Sequence, residues 1–179
     1  MAARKLLSAE QVSAALERLY GAVLSQLPDA PRIGVVGIRT RGESLAWRIV
    51  ERLRRDRKGL TVDFGVLDIT FYRDDLSRRR GAPLVRATEI DFDLDDLWLL
   101  LVDDVLQTGR SIRAALDAVH DFGRPRAVRL AVLIDRGGRE LPIAADFVGK
   151  RVHVSPGDTI QVKLKESDGE EGVFIVRKE

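Results

Sequence analysis

The most constraining feature of this chain is the segment 97–111, which reads LWLLLVDDVLQTGRS. An apolar run ends in two adjacent carboxylates, Asp103 and Asp104, and a short polar turn leads into an amphipathic stretch at 112–119. This order predicts a buried strand that feeds a helix, with polar residues at the carboxyl end of the strand. Open α/β sheets bind their ligands at that edge. The segment therefore predicts an α/β fold with a binding site directly after this strand.

The turn after this strand carries groups that bind phosphate. Thr108 and Ser111 supply hydroxyls, Gly109 permits a tight turn, and the helix that follows presents N-terminal N–H groups. The neighbouring carboxylates of Asp103 and Asp104 can accept hydrogen bonds from sugar hydroxyls. This combination favours a phosphorylated sugar as the ligand. The alternative is an ordinary capped helix beside two solvated acids.

Apolar runs and helical patterns alternate along the rest of the chain. Strands are predicted at 33–38, 61–71, 97–102 and 127–134, with shorter ones at 146–148, 161–164 and 172–176. Helices are predicted at 8–27, where Ser8 and Gln11 have the spacing of a capping box, at 43–54 and at 112–119. This alternation favours a mostly parallel central sheet flanked by helices. A length of 179 residues fits one domain, 1–179.

Two further polar turns follow buried strands and are expected at the same edge of the sheet. The first is GIRTRG at 37–42, whose backbone N–H groups, Thr40 and Arg41 suit a pyrophosphate. The second is DRGGRELPI at 135–143. By its residues alone the first is a weak signal, and the second is more typical of a glycine-rich surface turn with charged residues than of a binding site. A long polar loop at 72–89, containing Arg73 and the run RRR at 78–80, precedes the central strand.

The motifs together resemble a known family. VDDVLQTGRS resembles the loop that binds phosphoribosyl pyrophosphate (PRPP) in type I phosphoribosyltransferases. The order GIRTRG, YRDDL, DDVLQTGRS and DRGGRELPIAADFVGK resembles the PyrR family of pyrimidine-operon attenuation regulators over essentially the whole chain. The resemblance implies a type I phosphoribosyltransferase fold with a flexible loop and a small hood. It also implies two activities: uracil phosphoribosyltransferase, which makes UMP and pyrophosphate, and binding of pyr operon messenger RNA.

The resemblance assigns roles to individual residues of this sequence. It implies that Asp103 and Asp104 are catalytic, and that Arg73, Arg78, Arg79 and Arg80 belong to the flexible loop. It implies RNA contacts for Arg139, Lys150 and Arg151, with Arg139→Ala expected to spare UMP synthesis. The PRPP and UMP site would comprise Thr40, Arg41, Asp103, Asp104, Val105, Leu106, Gln107, Thr108, Gly109, Arg110, Ser111, Arg136 and Ile160.

Two positions depart from the family pattern. Ser111 stands where threonine is usual, which keeps the hydroxyl, and Gly138 stands where histidine is common between the two arginines of the third motif. Any contact that this histidine makes in the family is absent here.

Composition and resemblance together limit the possible partners, cofactor and location of the protein. The net charge is +2 and there are no cysteines, which excludes disulfides and thiolate metal sites. No apolar run is long enough to span a membrane and no signal peptide is evident, so a cytoplasmic location is expected. The resemblance implies uracil, PRPP, UMP or UTP and pyr operon leader mRNA as partners, Mg²⁺ bound with PRPP rather than held directly by the chain, and a homodimer or higher homo-oligomer. The alternatives are a phosphoribosyltransferase without RNA regulation and an RNA-binding regulator without catalysis.

Overall fold

The computed structural model describes residues 3–74 and 87–177, and it contains a five-stranded parallel sheet. The strands are β2 (Arg32–Ile38), β3 (Thr61–Leu67), β4 (Trp98–Leu106), β5 (Ala127–Asp135) and β6 (Phe147–Arg151). Their order across the sheet is β3-β2-β4-β5-β6, and every neighbouring pair is parallel. The prediction of a mostly parallel central sheet is confirmed.

Helices pack on both faces of this sheet, which explains why its central strand β4 is apolar from Trp98 to Val102. The helices are α1 (Ala9–Ser25), α2 (Arg41–Asp56) and α3 (Arg110–His120). Leu100 and Val102 of β4 belong to the core formed with α1 and α2, whereas Leu99 and Leu101 belong to the core formed with α3. Alternate residues of β4 therefore contribute to two separate hydrophobic cores, one on each face of the sheet.

The predicted start of the first helix is confirmed in detail. Ser8 precedes α1 and its side chain accepts a hydrogen bond from the backbone of Gln11, while the Gln11 side chain accepts one from the backbone of Ser8. The reciprocal pair satisfies two N–H groups that the helix leaves unpaired.

A second, smaller sheet forms what we call the hood. It consists of β1 (Ala3–Leu7), β8 (Gly172–Arg177) and β7 (Asp158–Lys163), in that order and antiparallel, with the short helix α4 (Lys165–Asp168) between β7 and β8. The two later strands were predicted at 161–164 and 172–176. The first, ARKLL, was not predicted, because two of its five residues are basic and only its last is buried.

Several predicted element boundaries were wrong, and three of them lie beside the carboxyl edge of the parallel sheet. β4 runs on to Leu106, because β5 continues to pair with it, so the two acids lie within the strand and not after it. α2 begins at Arg41 instead of 43. β3 ends at Leu67, because the Asp68 carboxylate accepts the backbone N–H of Thr70 at 2.7 Å and turns the chain into a short 3₁₀ helix, Thr70–Tyr72.

None of the helices in the described ranges combines the length and the apolar character needed to cross a membrane. Most of the predicted loop at 72–89, including Arg78, Arg79 and Arg80, lies outside the described residues.

Candidate functional site

Two adjoining cavities of about 350 and 330 Å³ open at the carboxyl ends of the parallel strands. They share Arg73, Val105 and Ser111, so together they form one cleft. The first cavity is lined by the turn after β4 and by the hood residues Thr159 and Ile160. The second is lined by the two acids and by the segment that joins β2 to α2. The cleft lies at the edge of the sheet that the sequence predicts.

The acids of the second cavity form a desolvated pair. Asp103 is only 8% exposed, and its Oδ1 accepts the backbone N–H of Asp104 at 2.9 Å. Burial and the adjacent Asp104 charge raise the pKa of Asp103 well above its usual value. Burial also raises the pKa of Asp104, although the positive charge of Arg41 acts in the opposite direction. A cation or several hydroxyl donors would stabilise the ionised pair.

The turn at the first cavity has the form of an anion site. Gly109 precedes α3 with a φ of +92°, and the Thr108 hydroxyl accepts the backbone N–H of Arg110 at 3.2 Å. The helix therefore points its N-terminal N–H groups toward the cavity. The Arg110 guanidinium, which the sequence assigns to the phosphate, bonds to Glu140 at 2.6 Å and to Asp74 at 2.5 Å. Because the Arg110 side chain is engaged in these ion pairs, the turn would offer an anion mainly backbone N–H groups and hydroxyls.

The third motif, residues 135–143, is hydrogen-bonded to the turn that follows β4, residues 107–109. The carbonyl oxygen of Thr108 accepts the N–H groups of Glu140 at 2.9 Å and Leu141 at 3.1 Å. The N–H of Arg136 donates to the carbonyl of Leu106 at 3.1 Å. A Cβ atom added at Gly109 would lie 3.3 Å from Cβ of Ile143, so the turn and the motif are also in close side-chain contact. The conformation of the turn after β4 therefore depends on residues about thirty positions later in the sequence.

Thr40 and Arg41, the candidates for pyrophosphate, occupy different positions. Thr40 follows a cis peptide bond and lines the second cavity. The Arg41 guanidinium turns toward the hood and bonds to Asp168 through Nε and Nη2. Between this segment and β4 the backbones touch, because a Cβ atom at Gly42 would lie 2.5 Å from the Val102 carbonyl oxygen. Only a glycine allows the segment to approach the acids this closely.

The candidates for base recognition lie between β5 and the hood. Ile160 lines the first cavity. Arg136 is 6% exposed and its Nη1 donates to the carbonyl of Asp158 at 2.6 Å. Its Nε is buried without a hydrogen-bond partner in the described part of the molecule. Arg136 therefore supports the strand that carries Ile160 rather than lining the cavity itself.

Several cleft residues were not identified from the sequence. Arg39, Asp68, Ile69 and Thr70 line the second cavity beside the acids. Arg39 adjoins the segment GIRTRG and was within reach of sequence reasoning, whereas the other three carry no motif. Arg73, assigned to the loop, does reach the cleft, where its Nη1 lies 3.3 Å from Oγ of Ser111.

The three candidates for RNA contact differ in accessibility. Arg139 turns inward and donates to the Ile143 and Gln107 carbonyls, at 2.9 Å each, and to the carboxylate of Asp135 at 2.7 Å. Lys150 is half-buried, and Arg151 is exposed at the end of β6. Arg151 therefore presents its charge to solvent, while Arg139 stabilises the loop.

Within residues 3–74 and 87–177, no group of three His, Cys, Asp or Glu residues is arranged to hold a metal ion. The acid pair can supply two carboxylates, so a cation at this site would need further oxygen ligands from a substrate and from water.

Comparison with known proteins identifies the family of this chain. The chain matches the phosphoribosyl transferase domain family over residues 4–167. It is 51% identical over 178 residues to "Bifunctional protein PyrR" of Roseiflexus sp. (strain RS-1), covering 99% of this chain and 97% of the relative. It is 46% identical to the protein of the same name from Deinococcus radiodurans, covering 92% and 89%.

A solved structure also shares the fold. A hypoxanthine-guanine phosphoribosyltransferase from Bacillus anthracis superposes with a TM-score of 0.69 at 15% identity, covering 97% of this chain and 98% of that one. Likeness at this level of identity concerns the fold and not the base. On the motif order, the family match and the full-length relatives, the chain belongs to the phosphoribosyl transferase domain family and, within it, to the PyrR family.

Proposed function

We propose that this protein transfers the phosphoribosyl group of PRPP to uracil, giving UMP and pyrophosphate, and that it also binds pyr operon leader RNA in response to UMP or UTP. The observation that carries the proposal is the cleft, where a phosphate turn, an acid pair and the Thr40–Arg41 segment lie side by side. The full-length relatives named "Bifunctional protein PyrR" support both activities.

In the proposed arrangement each part of the cleft binds one part of PRPP. The turn from Thr108 to Ser111 binds the 5′-phosphate through N–H groups and hydroxyls. Asp103 and Asp104 accept the ribose hydroxyls, and Thr40 with Arg41 binds the diphosphate. Uracil lies in the first cavity beside Ile160, with β7 held in place by Arg136. The chain is proposed to act as one domain throughout.

Catalysis would then depend on positioning and electrostatics. No protein nucleophile is required: the sequence has no cysteine, and both histidines lie outside the motifs of the cleft. Holding the base against C1 of the ribose converts an encounter of two substrates into a reaction within one complex. The carboxylates stabilise positive charge that develops on the sugar ring. Loop residues that close over the cleft would keep water from the reacting carbon.

Mg²⁺ is the proposed cofactor, and it would arrive with PRPP. The acid pair fits this assignment, because two desolvated carboxylates favour a cation but do not complete its coordination. Together with PRPP, Mg²⁺ would supply positive charge that offsets the negative charge of the diphosphate leaving group.

The RNA activity requires a basic surface at a distance from the reacting carbon. Arg151 and Lys150 on β6 are our first candidates for RNA contact. Arg139 would act indirectly, by stabilising the loop at 135–143. A net charge of +2 is small, so a homodimer or higher oligomer that doubles this surface is part of the proposal. A protein that regulates messenger RNA in this way would work in the cytoplasm.

The enzymatic half can be tested with a panel of bases. The purified protein is incubated with PRPP, Mg²⁺ and, separately, uracil, hypoxanthine, guanine, adenine or orotate, and nucleotide formation is measured. We expect UMP from uracil and no comparable product from the other bases. Preference for another base would favour a phosphoribosyltransferase of different specificity.

The regulatory half can be tested with a pyrimidine-operon leader hairpin. The RNA is titrated with the protein with and without UMP, at two salt concentrations, beside a scrambled hairpin of the same length. We expect tight binding of the leader that UMP strengthens. Failure to bind in either condition, by a folded and catalytically active protein, would leave only the enzyme.

A further inference from the structure

We propose that Asp168 is a positioning residue for Arg41, and that through this pair the hood controls the pyrophosphate end of the cleft. The inference rests on the proposed function, because it takes Arg41 as a ligand of the diphosphate. Asp168 ends the short helix α4 in the hood, and it lies outside every motif that marks the cleft.

The contact between the two side chains fixes the orientation of the guanidinium. Arg41 Nη2 lies 2.7 Å from Oδ1 of Asp168, and Nε lies 3.1 Å from Oδ2. Two parallel hydrogen bonds of this kind hold the plane of the guanidinium. Among the hydrogen bonds of the described residues, the Nη1 amino group of Arg41 makes none, so both of its N–H groups are available to a ligand.

Asp168 is itself held in place. Its Oδ2 accepts the backbone N–H of Leu164 at 2.9 Å and the hydroxyl of Ser167 at 2.8 Å. Burial disfavours its charge, but the hydrogen bonds from Arg41, Leu164 and Ser167 outweigh this effect and lower its pKa to about 2. The carboxylate is therefore ionised at neutral pH.

The oriented guanidinium also acts on the acid pair. The positive charge of Arg41 favours the ionised form of Asp104, so it lies within electrostatic reach of that carboxylate. The next residue, Gly42, touches the Val102 carbonyl immediately before the acids. Arg41 thus lies between the acids and the hood, and its ion pair with Asp168 fixes the direction of the Arg41 N–H groups.

A second arginine of α2 gives the hood a separate attachment. Arg48 bonds to both oxygens of Glu166, at 2.7 Å each, and to Glu171 at 2.7 Å. This attachment remains when Asp168 is replaced, so Asp168→Asn should alter the Arg41 orientation without releasing the hood. Glu166→Gln is the matched control, since it weakens an ion pair on the same helix that does not involve Arg41.

The test compares two ligands that share a phosphorylated ribose and differ at C1. PRPP, with Mg²⁺, and UMP are titrated calorimetrically against the wild type, Asp168→Asn and Glu166→Gln. We expect Asp168→Asn to bind PRPP about tenfold more weakly, the scale of one charge-assisted hydrogen-bond contact. UMP binding should change by less than about twofold in every variant, and Glu166→Gln should resemble the wild type for both ligands.

A double variant separates positioning from general support. If Asp168 acts through Arg41, then Asp168→Asn should cause no further loss of PRPP affinity in an Arg41→Ala background. The positioning role is overturned if Asp168→Asn binds PRPP as well as the wild type or better, loses UMP in equal measure, or adds its loss to that of Arg41→Ala. A wild type that binds neither PRPP nor UMP would instead contradict the proposed function.

Discussion

The backbone N–H of Asp104 donates to Oδ1 of Asp103 at 2.9 Å, so the two acids of the cleft are linked through the chain itself. Asp103 is buried in the strand, while Asp104 is half-buried, and both line the second cavity. Because burial and mutual repulsion oppose ionisation of Asp103, the pair is held in a costly state that a cation or ribose would relieve. Substitutions in this acid pair should therefore distinguish effects on catalysis from effects on the stability of the fold.

Asp104→Asn is expected to reduce turnover by about 100-fold or more, because it removes a charge that is proposed to face the sugar and keeps the shape of the side chain. Steady-state UMP synthesis measures the effect, and circular dichroism with a thermal melt confirms that the fold is retained. Turnover equal to that of the wild type would remove the proposed ribose role of this residue.

Asp103→Asn is expected to make the protein more stable and less active. The raised pKa means that the folded protein holds a proton that the unfolded chain releases. Wild-type stability therefore falls as pH rises from about 4 toward the raised pKa, and the asparagine variant escapes this loss. At pH 7 we expect a Tm higher by about 2–4 °C, which corresponds to about 1 kcal/mol in a chain of this length.

Melts at several pH values provide the control for this prediction. The difference between Asp103→Asn and the wild type should shrink as the pH falls to about 3, roughly one unit below the ordinary pKa of an aspartate, where the Asp103 side chain is mostly neutral in the folded and unfolded states. An equal or lower Tm at pH 7 would show that the burial of this carboxyl does not strain the fold.

Gly42→Ala tests the close approach of the Thr40–Arg41 segment to the acids. The new Cβ would lie 2.5 Å from a backbone oxygen that cannot move aside easily, so we expect a loss of about 1–3 kcal/mol in the free energy of unfolding. Urea unfolding measures it. Gly59→Ala, with nothing within 4 Å of its added Cβ, should change stability by less than about 0.5 kcal/mol.

Replacing Arg139 or Arg151 by alanine should have different effects on RNA binding and on UMP synthesis. Arg151→Ala removes an exposed charge, so we expect weaker RNA binding, a shallower salt dependence and unchanged UMP synthesis. Arg139→Ala removes bonds to the Gln107 carbonyl and to Asp135, so it should impair UMP synthesis as well. This differs from the sequence-based expectation that Arg139→Ala spares the enzyme. Intact UMP synthesis in Arg139→Ala would restore that expectation.

Local features of the chain were predictable because each rests on neighbouring residues. The capping box at Ser8 and Gln11 and the polar turn after β4 depend on spacings of a few positions, and both are present. The alternation of predicted strands and helices implied the parallel sheet, because this pattern leaves few topologies open.

Contacts between distant residues were not predictable in this way. Arg41 was assigned to pyrophosphate from its motif, and nothing in that motif indicates a partner 127 positions later. Arg110 likewise has the acids Asp74 and Glu140 as partners. Long charged side chains choose partners by proximity in the folded chain, which a linear pattern does not encode. For the same reason β1 was missed: its strand character comes from pairing with β8.

That pairing places one of the earliest residues of the chain, Ala3, opposite one of the last, Val176. The two acids and the turn that follows them come from one continuous stretch, residues 103–111, whereas the hood pairs β1 with β8. Contacts with such large sequence separation form slowly, because a long loop must close first. We therefore expect the two walls of the cleft to form in order during synthesis: the wall made by β4 and the start of α3 first, and the hood wall after β8 has been made.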